Sequence, residues 1–320
     1  MAASVGAVYL AVRGVHWSQV TAALASASAP LLLLSLVLVL ITNWCKGARW
    51  RLLFHPLERR LPTRRCVSIL YVGQLANAVL PLRLGEVVRA YMIGDIEGVG
   101  RVFAFATTVV EKAVDSVMLL LLFALLAPFV PLPRWLRSSS LAVSAVLAVL
   151  LVVLILVASQ QRRISGLLQR WTDSRPQLGF LRSAQTMVEA SAQLGALRDA
   201  RVLLRLWLWS GMIWLLGVVN IQVTLCAVHL NPGPLASPLL LALVTTGTIL
   251  PSSLLHIGVF HYLCILTLAI FGVEQHAALT YALLLHAVVY LPTVVGGVLG
   301  LWSENRGLPG AARNLAERSQ

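Results

Sequence analysis

Charged residues are scarce in this sequence of 320 residues, and their scarcity excludes several classes of protein. Asp, Glu, Lys and Arg together make up 12% of the chain, whereas an ordinary soluble domain is about 25% charged. So few charges cannot cover the surface of a soluble globular enzyme. In their place, apolar residues make up 58% of the chain, and several runs approach the roughly 20 residues that cross a bilayer. The composition excludes a disordered chain and predicts an all-α, polytopic membrane helix bundle.

The motifs of several enzyme classes are also missing. The sequence has no GxxxxGK[ST] motif, which excludes a P-loop ATPase, and it contains neither GxSxG nor HExxH. Its four cysteines lie in or beside apolar runs and form no CxxC pair, so we expect neither a disulfide framework nor a zinc site. We expect no cofactor and no metal. Any transport must then run downhill or be coupled to a gradient.

Lysine occurs only twice, and the remaining basic residues are arginines with an uneven distribution. The formal net charge is +13, the positive residues concentrate in segments 46–65 and 162–205, and segment 207–302 contains no lysine or arginine. The positive-inside rule places both basic segments and both termini in the cytoplasm, with the protein in the inner or plasma membrane. We attribute the charge to this orientation and expect no nucleic-acid partner.

Six apolar segments predict full membrane spans, at residues 1–12, 30–44, 103–127, 141–159, 206–228 and 277–302. The first of them is short for a span. We expect a single integral membrane domain over residues 1–320, with halves at approximately 1–160 and 200–305. A basic cytoplasmic connector at residues 160–205 joins the halves.

Two further apolar segments are interrupted by proline and glycine. Segment 66–94 breaks between Pro81 and Gly85, and segment 238–272 breaks between Pro251 and Gly258. We interpret both as re-entrant hairpins, the first entering from the cytoplasmic side and the second from the outer side, in an inverted repeat. Such breaks indicate a transporter-type binding site near the bilayer midplane. Ordinary spans kinked by proline are the alternative.

The first break carries charged residues that suit a phosphate. Gly85 begins a new helix, whose free backbone N–H groups form a positive end. Arg83 and Arg89 lie beside that end, and Glu86 is expected to hold the arginines in place. Arginines next to a helix N-terminus form a phosphate site. The alternative is that both arginines extend to the cytoplasmic headgroups.

Two carboxylates lie deep in the predicted span 103–127. Glu111 and Asp115 are four residues apart and share a helical face. We expect them either to face Arg83 and Arg89 or to bind a cationic headgroup or a proton. An internal ion-pair cluster that only stabilises the bundle is the alternative.

The second interrupted segment supplies hydroxyl and imidazole groups, among them Ser252, Ser253 and His261. These groups suit a polar headgroup, although they also form purely structural hydrogen bonds between helices. His256 and His261 are five residues apart with no carboxylate nearby, which disfavours a metal site.

Several of these residues stand in motifs of a known family. The motifs are Ala48-Arg49-Trp50-Arg51-Leu52-Leu53, Asn77 followed by Leu80-Pro81-Leu82-Arg83-Leu84-Gly85-Glu86-Val87-Val88-Arg89, Glu111-Lys112-Ala113-Val114-Asp115, and Leu250-Pro251-Ser252-Ser253 with Ile257-Gly258-Val259-Phe260-His261. The chain resembles the flippase-like family, also known as the transmembrane region of lysylphosphatidylglycerol synthase. It departs from the family at Leu254-Leu255-His256, where many members have Pro-Gly-Gly.

The resemblance implies a lipid-translocating module. Arg83, Glu86, Arg89, Glu111 and Asp115 carry over by their motif positions. We predict a flippase or transporter, not an enzyme, for an anionic or aminoacylated phospholipid or a polyprenyl-phosphate-linked lipid. A membrane-embedded transferase acting on lipid-linked substrates and an accessory subunit of a glycosyltransferase are the alternatives. A homodimer and a partner glycosyltransferase both stay open.

Overall fold

A computed structural model describes residues 17–80, 84–130, 199–249 and 258–318. These residues form helices joined by short turns, and no β-strand occurs within the described ranges. The all-α prediction is therefore confirmed. The predicted spans at 1–12 and 141–159 and nearly all of the connector lie outside these ranges, as do Arg83, Ser252 and Ser253.

The described helices follow one another in a simple order. They are α1 (Trp17–Ala25), α2 (Ala29–Leu52), a 3-10 turn (Leu57–Arg60), α3 (Thr63–Val79), α4 (Gly85–Glu97), α5 (Arg101–Leu126), α6 (Ala200–Ala227), α7 (Ala236–Ile249), α8 (Val259–Ile270) and α9 (Gln275–Arg318). By length and apolar composition, α2, α6 and the Gln275–Glu304 part of α9 are each able to cross a membrane. The predicted spans 30–44, 103–127, 206–228 and 277–302 correspond to α2, α5, α6 and α9.

Helix α2 extends beyond its predicted end. The sequence placed Lys46, Arg49 and Arg51 in a cytoplasmic loop, but the helix continues to Leu52 and buries Arg49. The assignment of these residues to a loop was therefore wrong. The physical reason for the difference is that the charged side chains in the last two turns of α2 pack against other helices instead of extending into solvent.

The first interrupted segment forms a helical hairpin. Leu80 is extended, with φ −84° and ψ 143°, because the residue before a proline avoids the helical region. Arg65 and Glu97 pair across the open end of the hairpin at 2.5 Å, and Gly73 lies against Gly85 and Arg89 near the tip. Helices α3 and α4 have 17 and 13 residues, fewer than the roughly 20 that a span needs.

The second interrupted segment forms another hairpin. Helices α7 and α8 have 14 and 12 residues. Gly247, near the end of α7, lies against Leu263 of α8, so the two helices run antiparallel. Gly258 precedes α8 with φ 97°, a left-handed conformation that favours glycine.

The two halves of the chain run in opposite directions. Each half has a long helix, a hairpin and a second long helix. In the first half these are α2, the hairpin of α3 and α4, and α5, and in the second half they are α6, the hairpin of α7 and α8, and α9. Helices α2 and α6 are antiparallel, because the N–H of Ser28 donates to the carbonyl of Ala227 at 2.8 Å while Arg49 contacts Ser210 near the other end. Helix α9 runs antiparallel to α3, with Gly297 close to Leu75 and Glu304 3.6 Å from Arg65.

Candidate functional site

A cavity of about 380 Å³ lies between the two halves, and α2 to α9 all contribute residues to its wall. Its volume is within the range of small-molecule sites. Its charged lining residues are Lys46, Glu86, Arg89, Glu111, Lys112 and Asp115. Its neutral polar lining residues are Thr42, Asn43, Gln74, Asn77, Asn220, Thr245, Thr248, Tyr290 and Thr293. The cavity thus combines an apolar lining with a concentration of charged and polar side chains that is unusual for an apolar bundle.

Glu111 stands at the centre of the charged wall. It is 3% exposed and joins two cations, because Arg89 Nη2 donates to its Oε2 at 2.7 Å and Arg49 Nη2 donates to its Oε1 at 3.1 Å. The Arg89 guanidinium also lies 4.2 Å from the centre of the Trp50 ring, a favourable cation–π contact. Glu111 therefore ties α5 to both α2 and α4.

Arg49 belongs to the charge network at the cavity, although the sequence reasoning did not include it among the candidate site residues. It is 1% exposed, and its Nη atoms donate to both Asp115 oxygens at 2.6 and 3.1 Å as well as to Ser210 Oγ. Planar, two-point pairing of this kind is the strongest arginine–carboxylate geometry. The spacing of Asn43, Lys46 and Arg49 could have revealed it, because residues three apart on a helix lie on the same face.

The N-terminus of α4 is capped from the opposite arm of its hairpin. Asn77 Oδ1 accepts from the Gly85 N–H at 2.8 Å, and Asn77 Nδ2 donates to Glu86 Oε1 at 3.2 Å. Glu86 also pairs with Arg89 at 3.1 Å and with Lys112 at 2.9 Å. The predicted free N–H group at Gly85 is therefore occupied, and both Nη atoms of Arg89 face carboxylates.

The ion pairs account for all but one of the charges at the cavity. Glu86, Glu111 and Asp115 pair with Arg49, Arg89 and Lys112, which leaves this network formally neutral. Lys46 has no ion-pair partner among the residues that the structure describes and is half-buried in the cavity wall. The described part of the wall therefore carries one formal surplus positive charge.

The second half of the chain gives the cavity a neutral wall. Thr245 and Thr248 come from α7, and Tyr290 and Thr293 from α9. His261 is buried behind this wall, with its ring centre 4.9 Å from that of His286. The structure thus brings Asn77, Gly85, Glu86, Arg89, Glu111 and Asp115 together, while His261 stands apart from them.

The comparisons with known proteins agree with the motifs. The family described as "Lysylphosphatidylglycerol synthase TM region" matches residues 1–297. The chain is also 26% identical to the glycosyltransferase AglD of Haloferax volcanii over 332 aligned residues, which cover 90% of this chain and 51% of that protein. This chain therefore spans about half the length of that relative. No solved structure matches the chain at a significant level. The chain belongs to the family of the lysylphosphatidylglycerol synthase transmembrane region and is a multi-pass membrane protein.

Proposed function

We propose that this protein moves a phosphate-bearing lipid across the bilayer, with the headgroup in the cavity and the acyl chains in the surrounding lipid. The observation that carries the proposal is the cavity with charged and polar lining residues to which both helical hairpins, of opposite direction, contribute. Broken helices from inverted halves meet at substrate sites in many transporters. The apolar residues exposed on α2, α6 and α9, such as Leu33, Leu215 and Leu299, suit contact with lipid.

The depth of the cavity supports this function. Glu111 lies ten residues into α5, which corresponds to about 15 Å along the helix axis. With Arg101 at the cytoplasmic interface, the charge network lies near the middle of a hydrocarbon core about 30 Å thick. Charged groups at such a depth mark substrate or ion pathways. We place both termini on the cytoplasmic side and treat both hairpins as re-entrant, because their helices are too short to cross.

A transport assay with a filled cavity tests the proposal. Thr245→Trp adds a bulky ring to the neutral wall and leaves every ion pair in place. In proteoliposomes with fluorescent phosphatidylglycerol, we expect it to slow lipid movement at least about tenfold, equivalent to about 1.4 kcal/mol in barrier height. Leu215→Trp, on the outward face of α6 where Leu215 is 64% exposed, is the matched control. Equal rates for the two variants would contradict the proposal.

A role beside a glycosyltransferase is the second candidate. This candidate is supported by the similarity of the chain to about half of the glycosyltransferase AglD. As an accessory subunit, the protein would hold a lipid-linked substrate in its cavity for a separate transferase. If the chain is itself the transferase, Glu111 or Asp115 would serve as the general base. A membrane transferase forms product in detergent without any sealed compartment, whereas a transporter forms none.

A further inference from the structure

We infer that the cavity selects an anionic lipid whose headgroup, apart from its phosphate, is neutral and hydroxylated, and that it rejects a lipid whose aminoacyl headgroup makes it a net cation. This inference rests on the proposed function and names its substrate class. An aminoacyl headgroup with a lysyl ester carries two ammonium groups and one phosphate, so it is a net cation. The described wall carries a surplus positive charge, at Lys46, and would repel it.

The carboxylates of the wall are not available to an ammonium group. Glu111 accepts hydrogen bonds from two arginines, Asp115 accepts two from Arg49, and Glu86 pairs with both Arg89 and Lys112. A carboxylate whose charge is already neutralised by a neighbouring cation attracts a ligand's ammonium group only weakly. Among the described lining residues, each carboxylate already has a cationic partner within 3.1 Å.

The donors suit a phosphate better. Lys46 offers an ammonium group without a carboxylate partner, and Asn43 lies on the same face of α2 and also lines the cavity. Lysine binds phosphate as a point charge. An ammonium group in the cavity wall without a carboxylate partner among the described residues therefore favours an anionic ligand.

The neutral wall faces the rest of the headgroup. Thr245, Thr248, Tyr290 and Thr293 line it with hydroxyl groups, whose oxygens are able to accept hydrogen bonds from the hydroxyl groups of a polyol or a sugar. Phosphatidylglycerol and a polyprenyl phosphate sugar share this chemistry of one phosphate and several hydroxyl groups. A water-soluble glycerol phosphate shares it as well, so the test must separate a lipid from a free phosphate ester.

Binding by the purified full-length protein, measured by native mass spectrometry, tests the inference. The probes are phosphatidylglycerol, lysyl-phosphatidylglycerol and glycerol 1-phosphate. We expect the wild type to prefer phosphatidylglycerol to the lysyl lipid at least about tenfold, and to bind glycerol phosphate at least about tenfold more weakly than phosphatidylglycerol. Lys46→Gln should remove most of the preference between the lipids, and Lys46→Glu should reverse it. Arg60→Gln removes an equal charge from the exposed 3-10 turn and should leave the preference unchanged.

The outcomes separate this inference from the proposed function. Equal binding of the two lipids by the wild type, or a preference that survives both Lys46 variants, would overturn the inference. Equally tight binding of glycerol 1-phosphate would replace the lipid with a soluble ester. Thr245→Trp should weaken all lipid binding. If this variant weakens the binding of both lipids but the wild type shows no preference between them, only the inference about selectivity fails. If the variant weakens the binding of neither lipid, the cavity is not the binding site and the proposed function fails. Should Lys46→Glu not fold, Lys46→Gln alone decides the question.

Discussion

Replacing Arg49 with methionine is expected to destabilise the protein by up to about 3–5 kcal/mol, because it removes the cation that pairs with Asp115 and one of the two cations that pair with the buried Glu111. Arg49 is the shared partner of Glu111 and Asp115 and also binds Ser210. Methionine keeps much of the length of the side chain, so the expected loss comes chiefly from the unpaired charges. Three helices, α2, α5 and α6, lose their common contact at once.

Thermal unfolding in detergent micelles measures this effect. Arg51→Met is the matched control, because Arg51 lies two residues further along α2 and, within the described ranges, donates to Thr63 Oγ1 alone, at 2.7 Å. We expect Arg49→Met to lower the Tm by more than about 5 °C relative to this control. Adding Glu111→Gln and Asp115→Asn should restore part of the loss, since no unpaired buried charge then remains at these positions. A Tm equal to that of the control would contradict the account of the network.

Gly85→Ala is expected to disrupt the first hairpin. A Cβ atom at this position would collide with the carbonyl oxygen of Gly73 and with the side chain of Asn77. Because a backbone oxygen cannot move aside as a flexible side chain does, α3 and α4 must separate. The cap from Asn77 to the Gly85 N–H is then lost, and Arg89 shifts away from Glu111. Overpacking alone costs about 1–3 kcal/mol, and the lost buried contacts add to that cost.

The same thermal measurement, together with the transport assay, tests this prediction. Gly211→Ala is the matched control, since an added Cβ there meets no atom within 4 Å and the residue is inside α6. Alanine in a helix interior is more favourable than glycine by about 0.5–1 kcal/mol, so this control should unfold at an equal or higher temperature. Gly85→Ala should unfold at a lower temperature and lose transport. Wild-type behaviour in both assays would show that the hairpin tip is not tightly packed.

The sequence predicted the helices because their signals are local. Hydropathy located α2, α5, α6 and α9, and the proline–glycine breaks located both hairpins. The first break forms where predicted because Pro81 forces Leu80 into an extended conformation. The end of α2 was misplaced because positive charge is ordinarily a sign of a loop at the membrane surface.

The partners of the charged residues were much harder to predict. Sequence spacing correctly paired Glu86 with Arg89, which are three residues apart on one helix. Arg89 also contacts Glu111 and Trp50, and Gly85 is capped by Asn77. These contacts join different helices, so no local pattern reveals them. For the same reason, nothing in the sequence distinguishes Lys46 from the other basic residues near it. Its lack of an ion-pair partner among the described residues becomes evident only when the partners of the other charged residues at the cavity are known.

Photo-cross-linking with two labelled lipids tests most directly whether a headgroup occupies the cavity. The wild-type protein in vesicles is illuminated with phosphatidylglycerol that carries a diazirine either on the headgroup or at the end of one acyl chain. The account predicts that the headgroup probe labels Thr245, Tyr290 and Thr293 inside the cavity. The acyl probe should label the exposed apolar face of α9, at Leu291, Val295 and Val298. Headgroup labelling confined to the loops, with none at the three cavity residues, would contradict the account.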